Sequence, residues 1–496
     1  MVMPNNPNTS SFDKISTKAW KTLAILSLIA TMVMYAETML VPAIPDLIKD
    51  FHISYGASSW ILTTYLVTGA IMTPITGKLS DIYGKKKMLL VIMVIYAVGV
   101  SMGGFVTNLY EMLLVRIIQG IGMSMFPIAF GIVREQFPRS KLAIGQGIIS
   151  SMFAAGAVIG LVAGGHLIQN YGWQSTFFSI IPVVLLLLII IQKFIHVGEI
   201  HPQWKLEGIE SQNNSKNSID IPGAITLAVS ITAFLMALTF VEDGDLIEST
   251  TMMGLIAIGV VYIVLFAIIE KKSKSPLINL DILLHKAILP SNVMVMIVGL
   301  SMFMVFQTIP VLVRSPSPLG FGGDPTTTAN VQLPFAIVLL IFGHTSGFII
   351  SRLGSTKPIV IGSLISTAGF ISLFMYHSTE FLVSTNLAIL STGLSLTNVG
   401  AMNVVMLATP KQNVGVSLGM STLIRIIGAS IGPAMAGMFM QTHKTSLPSI
   451  IGTFPTPDSY NLIFLSASII SAVSIGLAIF LKRTISKTTG HTMHDN

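Results

Sequence analysis

The amino-acid sequence predicts an all-α integral membrane protein with fourteen transmembrane helices, arranged as two related six-helix units and two inserted helices. Three observations lead to this fold class. Charged residues make up only 10% of the 496 residues and hydrophobic residues 52%, with a mean hydropathy of +0.78. Long apolar runs recur along the whole chain, and glycine patterns of the first half reappear in the second. A soluble domain carries about 25% charged residues, so a string of soluble domains is excluded.

Fourteen apolar segments have about the length, roughly 20 residues, that a helix needs to cross the hydrocarbon core of a bilayer. The first follows a polar stretch and has no small-residue cleavage site, so we expect a retained helix rather than a signal peptide. The polar interval 196–220 and the tail after Leu481 are each too short to fold alone. The predicted segments are 22–41, 58–77, 88–106, 111–132, 142–165, 175–195, 222–241, 251–270, 290–312, 329–350, 358–376, 381–405, 414–440 and 460–481.

Lysine and arginine set the expected orientation. With the N-terminus in the cytoplasm, 23 of the 28 basic residues fall in cytoplasmic segments, whereas Lys49, Arg314 and Lys444 fall outside. This bias follows the positive-inside rule. We therefore expect a multi-pass protein of the plasma membrane with both termini cytoplasmic. The formal charge of +7 then reflects membrane topology, and nucleic acid is not an expected partner.

Two internal matches indicate a duplication. Gly347–Lys357 (GFIISRLGSTK) repeats the two glycines and the terminal lysine of Gly77–Lys87 (GKLSDIYGKKK) at an offset of 270. Glycines of the fifth segment recur in the thirteenth at an offset of 272: Gly147, Gly156, Gly160 and Gly165 match Gly419, Gly428, Gly432 and Gly437. Duplicated halves with a site between them are typical of transporters. We expect a six-helix bundle in 1–195, a cytoplasmic loop with inserted helices 7 and 8 in 196–289, and a second bundle with the tail in 290–496.

These features resemble the major facilitator superfamily, specifically its fourteen-helix drug:proton antiporters, over nearly the whole chain. Gly77–Lys87 is similar to the signature between the second and third helices. Leu113–Gly122 (LLVRIIQGIG) resembles the fourth-helix signature, and Gly156–Gly165 (GAVIGLVAGG) resembles the antiporter signature of the fifth. Leu161 stands where that signature has proline, and the equivalent Pro433 occurs in the thirteenth segment.

The resemblance implies that Gly77, Asp81, Gly84 and Lys85 form a conformational latch. Asp81 is near the C-terminus of its own helix, where an acid is unfavourable without a partner. Gly77 is expected to allow close helix packing and Gly84 to permit the turn. The alternative is that Asp81 is a solvated turn acid and that the lysines only anchor a cytoplasmic loop.

The glycines of the fifth segment lie on one helix face because Gly156, Gly160 and Gly164 are four residues apart. Helices approach closely where side chains are small. Two interpretations remain open: static packing, or a smooth surface on which the halves rock. Gly165, and Gly432 with Pro433 in the second copy, belong to the same predicted motif.

Four ionisable residues lie within apolar segments, where a charge costs about 2.5–3.5 kcal/mol. Glu37 and Arg116 are expected at a similar depth, roughly 6–8 Å below the outer face from the helical rise, so they could pair. Glu37, with Arg116, is the predicted proton-coupling site. Arg425 and His344 are candidates for the substrate cavity; Arg425 could serve an anionic substrate or balance Glu37.

The resemblance implies a secondary transporter that exports amphipathic or cationic small molecules in exchange for protons by alternating access. We expect a monomer in the lipid bilayer, without a catalytic site, metal or other cofactor. The chain has no cysteine and no GxxxxGK[ST] phosphate loop, so ATP is not its direct energy source. The alternatives are a symporter or uniporter of an organic anion with the same fold, and, less favoured, a membrane-embedded enzyme or a sensor.

Overall fold

The computed structural model describes residues 15–138, 141–195, 220–239, 246–273, 276–354, 356–409, 414–448 and 450–491. Nearly all of these residues are helical. The elements are α1 (Thr17–Thr38), α2 (Ile44–Phe51), α3 (Tyr55–Tyr83), α4 (Lys85–Gly103), α5 (Leu109–Gly120), α6 (Met125–Gln136), α7 (Leu142–Tyr171), α8 (Gln174–Phe194), α9 (Ile221–Thr239), α10 (Leu246–Lys272), α11 (Leu280–Leu283), α12 (Ile288–Arg314), α13 (Pro325–Leu353), α14 (Thr356–Met375), α15 (Glu380–Ala408), α16 (Val414–Thr442), the hairpin strands β1 (Lys444–Leu447) and β2 (Ile450–Pro455), and α17 (Pro457–His491).

Thirteen helical stretches among the described residues are long and apolar enough to cross a membrane. Helix α3 is not one of them, although it is 29 residues long. It covers the second predicted segment, 58–77, and carries many hydroxyl side chains, which lower its hydropathy. The fold class is therefore confirmed, whereas the count of fourteen transmembrane helices stays a prediction.

The helices extend beyond the predicted apolar segments. α4 begins at Lys85 rather than at 88, and α17 continues to His491 rather than ending at 481. The apolar runs mark the part of each helix that suits the hydrocarbon core, but backbone hydrogen bonding continues until a cap or a turn ends it. Ser54 Oγ caps α3 by accepting from Ala57 N at 3.1 Å. Gly84, at φ 94°, makes the turn between α3 and α4, a conformation that favours glycine.

The fourth predicted segment, 111–132, is interrupted rather than continuous. A 3₁₀ turn at Ile121–Ser124 separates α5 from α6. Glycines allow other helices to approach here: a methyl group on Gly120 would lie 2.6 Å from the carbonyl oxygen of Tyr65, and one on Gly122 would overlap the Tyr96 ring. A 3₁₀ stretch within a long helix often marks a hinge or a strained site.

The two six-helix units pack by equivalent contacts. Within the units, α1 packs on α7 and α12 packs on α16; between the units, α3 packs on α16 and α7 packs on α13. The inserted helices α9 and α10 pack on each other, and α9 also contacts both α3 and α16. The inserted pair therefore lies against the seam between the two units.

Glycines produce the close approach within each unit. Methyl groups on Gly156 and Gly160 would collide with backbone carbonyl oxygens of α1, and methyl groups on Gly428 and Gly432 would collide with those of α12. Gly164 likewise faces Met39, just after α1. These glycines face helices of their own unit, so the structure favours static packing over a rocking surface between the halves.

Gly165 and its repeat partner Gly437 face the opposite unit. A methyl group on Gly165 would lie 2.9 Å from the Pro325 carbonyl oxygen, and one on Gly437 would lie 2.9 Å from that of Tyr55. Tyr55 and Pro325 are themselves separated by 270 positions. The sequence duplication therefore corresponds to a duplicated contact between the units.

Candidate functional site

Glu37 lies in the last turn of α1 and is only 2% exposed. Both of its carboxylate oxygens are buried and have no hydrogen-bond partner. A buried polar group without a partner is costly, and a buried charge is more so. The Glu37 carboxyl is therefore a group that a proton or a cationic ligand could satisfy.

Arg116 lies in α5 and is 1% exposed. Its Nη1 donates a hydrogen bond to Gln119 Oε1 at 3.2 Å, and its guanidinium carbon lies 5.6 Å from the centre of the Tyr65 ring, a distance that suits a cation–π contact. Its Nε and Nη2 have no hydrogen-bond partner. Arg116 is thus held by one amide and one aromatic ring while two donors stay available.

Glu37 and Arg116 make no hydrogen bond with each other, since neither carboxylate oxygen of Glu37 has a partner. Arg116 and Arg425 both interact electrostatically with Glu37, and Arg425 is half-buried on α16. Because α1 and α5 belong to the first unit and α16 to the second, this charge cluster spans both units. Of the two roles considered for Arg425, the position beside Glu37 favours charge balance.

Sequence reasoning did not identify three further members of the cluster. Tyr65 of α3, Tyr96 of α4 and Gln119 of α5 are all at most 2% exposed. The hydroxyl groups of both tyrosines and the Nε2 of Gln119 are buried without a partner. Their polar side chains inside apolar segments could have identified them from the sequence. Gln119 also follows Arg116 by one helical turn, which places it on the same helix face.

His344 lies on α13, but its side chain is outside the described residues. Within those residues, no group of three or more His, Cys, Asp or Glu side chains could hold a metal ion.

The four latch residues lie together at one end of the bundle, which we name the Lys85 end. Lys85 Nζ lies 3.1 Å from Asp81 Oδ1 and 2.7 Å from Glu135 Oε1, so Asp81 has the basic partner that its position demands. The Asp81 side chain is nonetheless 65% exposed. A methyl group on Gly77 would come no closer than 4.0 Å to Pro127. The prediction that Gly77 packs closely against another helix is therefore wrong for this conformation.

The opposite end, which we name the Arg314 end, is closed by contacts between the units. Both guanidinium Nη atoms of Arg314 bind the Asp46 carboxylate, Nη2 at 2.6 Å from Oδ1. The hydrogen bond that Asp324, the N-cap of α13, accepts from Thr327 N lowers the pKa of Asp324, and nearby Arg314 adds to this effect.

Hydrogen bonds continue this closure toward the centre of the bundle. Each joins α3 to the second unit or to its hairpin: Tyr55 N to Gln441 Oε1 (3.1 Å), Tyr55 hydroxyl to the Thr453 carbonyl (3.0 Å), Gln307 Nε2 to Ser58 Oγ (2.9 Å) and Thr63 Oγ1 to the Ser430 carbonyl (3.1 Å). A pathway between the units is therefore shut at the Arg314 end.

A family model described as Major Facilitator Superfamily matches residues 26–433. The chain belongs to the Major Facilitator Superfamily. This transporter is 26% identical over 436 residues to the multidrug transporter protein MdtP of Bacillus subtilis, covering 86% of its own chain and 76% of that protein. It is also 26% identical over 432 residues to the tetracenomycin C resistance and export protein of Streptomyces glaucescens, covering 86% and 77%.

Solved structures agree on the fold. The human organic anion transporter MFSD10 (TETRAN) aligns with a TM-score of 0.61 at 13% identity, over 93% of this chain and 99% of that one. This likeness concerns architecture alone. The transporter is accordingly a multi-pass membrane protein with the major facilitator fold.

Proposed function

We propose that this transporter exports amphipathic or cationic small molecules in exchange for protons. The observation that carries the proposal is Glu37, a buried carboxyl without a hydrogen-bond partner beside two arginines. Two relatives that are named for multidrug transport and for tetracenomycin C export support the same substrate class.

In this mechanism Glu37 binds either a proton or the cationic group of the substrate, but not both together. Competition for one carboxyl couples the two fluxes, because release of one ligand is required before the other binds. Arg116 and Arg425 set the charge of the empty site and stabilise the free carboxylate, which helps Glu37 to release its proton. Tyr65 and Tyr96 supply apolar ring surface and hydroxyl groups suited to amphipathic ligands.

We also propose how the helices cross the membrane. We take α3 as the fourteenth transmembrane helix, both termini as cytoplasmic and the plasma membrane as the location. The Arg314 end then faces outward and the Lys85 end faces the cytoplasm. The units comprise 1–195, 196–289 and 290–496, and the protein acts as a monomer.

Flux in proteoliposomes tests the function. With an imposed pH gradient, the wild-type protein should drive a cationic dye against its concentration gradient and release protons when the dye binds. Glu37→Gln removes the ionisable group but keeps the shape of the side chain. We expect it to lose pH-driven transport and substrate-induced proton release while it retains downhill exchange.

Glu380→Gln provides a matched control, since Glu380 is exposed in the first turn of α15 and should leave transport unchanged. A well-folded Glu37→Gln protein that still pumps the dye with normal proton release would refute the role of Glu37. His344 would then be the next candidate.

Transport of an organic anion is a second candidate function. The charges of Arg116 and Arg425 exceed that of Glu37, so the cluster carries one net positive charge when Glu37 is ionised. Accumulation of an organic anion rather than the dye in the same vesicles, lost on Arg425→Gln, would favour this alternative.

A further inference from the structure

A second pair of buried carboxyl groups lies in the inserted helices, apart from Glu37. Asp220 immediately precedes α9 and is 6% exposed; Glu270 lies in the last turn of α10 and is 3% exposed. Their burial is unusual because aspartate and glutamate are almost never fully buried unless they are paired.

In each carboxyl group one oxygen accepts a hydrogen bond and the other does not. Asp220 Oδ1 accepts a hydrogen bond from Gly223 N at 2.7 Å, and Glu270 Oε1 accepts one from Leu277 N at 3.1 Å. The remaining oxygens, Asp220 Oδ2 and Glu270 Oε2, are buried without a partner. The two carboxyl groups interact electrostatically, so two unsatisfied acceptors lie in one buried environment.

The charges around the pair do not balance it. Of the helices packed against α9, α10 contributes Glu270, and α3 contributes Lys78, which interacts with Asp220 and with exposed Asp81. The charged residue of α16 is Arg425, which interacts with Glu37 instead. Lys271 and Lys272, which follow Glu270, are exposed. Two carboxylates facing one ammonium group leave one excess negative charge.

A single proton fits this arrangement better than a metal ion. It neutralises the excess charge and supplies the donor that two unpaired acceptors lack. Calcium takes six to eight oxygen ligands, but the pair offers four carboxyl oxygens, two of which already bind backbone N–H groups. Carboxylates that share a site do not both ionise readily.

We propose that Asp220 and Glu270 share one proton in an O–H···O hydrogen bond that joins the start of α9 to the end of α10. Loss of this proton at the Lys85 end places two like charges in a buried site and weakens the packing of the inserted pair. Since α9 contacts both α3 and α16, the protonation state of this pair acts on the seam between the units. The proposal is independent of Glu37 and of the substrate.

The pH dependence of thermal unfolding tests this proposal. In the unfolded chain both carboxyl groups release their protons near about pH 4, so at neutral pH the folded protein holds one proton more. Stability must therefore fall as pH rises. For the purified full-length protein we expect the Tm to drop by about 2 °C or more between about pH 5.5 and pH 8.5.

Glu270→Gln keeps an N–H donor facing Asp220 at every pH, so the fall in Tm should shrink or disappear. Asp281→Asn is the matched control: Asp281 is an exposed acid of the neighbouring helix α11 and its removal should keep the wild-type slope. All measurements are made in the Glu37→Gln background as well, so that titration of Glu37 is separated from that of the pair.

Infrared spectroscopy provides a second readout that does not depend on stability. At neutral pH the Glu37→Gln protein should show a protonated-carboxyl C=O band that Glu270→Gln removes and Asp281→Asn leaves. An unchanged pH slope and an unchanged band in Glu270→Gln would overturn the proposal. Stabilisation by sodium or calcium chloride at constant pH, lost in Glu270→Gln, would also overturn it and identify a cation site.

Discussion

Arg116 shows how few partners hold the charge cluster in place. It is almost fully buried, yet it makes one hydrogen bond, to Gln119, and one contact with the Tyr65 ring. A guanidinium can donate five hydrogen bonds, so most of its capacity is unused in this conformation. The free donors make Arg116 able to bind an anionic group or Glu37 when the units move.

The hydrogen bond that Gln119 accepts from Arg116 should therefore contribute to both stability and transport. Gln119→Leu removes the acceptor of a buried charged hydrogen bond, which we expect to cost about 1–3 kcal/mol of stability and to reduce transport. Gln332→Leu is the control, because Gln332 of α13 is equally buried but has no hydrogen-bond partner; this change should be neutral or stabilising. Thermal unfolding of the purified proteins measures both, and equal losses would contradict the argument.

The sequence predicted the charged members of the site better than the others. Glu37 and Arg116 were recognisable because an ionisable side chain in an apolar segment is costly and needs a reason. Tyr65 and Tyr96 were not, since a tyrosine in such a segment is ordinary. The Asp46–Arg314 pair joins residues 268 positions apart, and such a contact depends on tertiary packing that local patterns do not encode.

At the scale of elements, α7 shows that glycines of one helix have different roles. The Thr38 hydroxyl and the Tyr35 carbonyl oxygen of α1 occupy the space beside Gly160, whereas a methyl group on Gly147 would meet nothing within 4 Å. The repeat in the sequence identified both positions but did not distinguish them, because periodicity reports a helix face and not the distance to the neighbouring helix.

Alanine substitution separates the two roles. Gly160→Ala should force α7 away from α1, with a loss of about 1–3 kcal/mol typical of overpacking. Gly147→Ala should be neutral or should stabilise the helix by up to about 1 kcal/mol, the difference in helix propensity. Thermal unfolding in detergent distinguishes them; a Gly160→Ala protein as stable as wild type would show that α7 and α1 can separate without cost.

The whole molecule adopts a conformation closed at the Arg314 end. The forked ion pair between Asp46 and Arg314 joins the two units, and hydrogen bonds from α3 extend the closure inward. At the Lys85 end, Asp81 binds Lys85 of the adjoining helix rather than a residue of the second unit. The predicted latch is thus not engaged across the units here, and it remains a prediction for the alternate conformation.

Breaking the ion pair should shift the transporter toward opening at the Arg314 end. The chain has no cysteine, so Ser59→Cys reports access directly: Ser59 of α3 is 1% exposed and its hydroxyl bonds the Gly56 carbonyl of its own helix, so the contacts between the units stay intact. We expect Arg314→Gln to raise the labelling rate of this cysteine by a membrane-impermeant thiol reagent several-fold. The mutation can change the free-energy difference between the closed and open conformations only by the amount that the ion pair stabilises one of them over the other.

The exchanged pair, Asp46→Arg with Arg314→Asp, keeps an ion pair of reversed direction and should lower labelling again. Labelling that is unaffected by Arg314→Gln would show that the hydrogen bonds of α3 alone keep this end shut.

The duplicated glycine contacts carry a consequence for how such a protein can diversify. Both copies kept the positions that let backbones touch, including Gly165 opposite Pro325 and Gly437 opposite Tyr55. The charged groups were not kept in duplicate: Arg425 corresponds to Phe153 in the first copy. Proteins that descend from one ancestral half could therefore change the charged residues at the centre, and with them the substrate. The glycine contacts between the helices would stay the same.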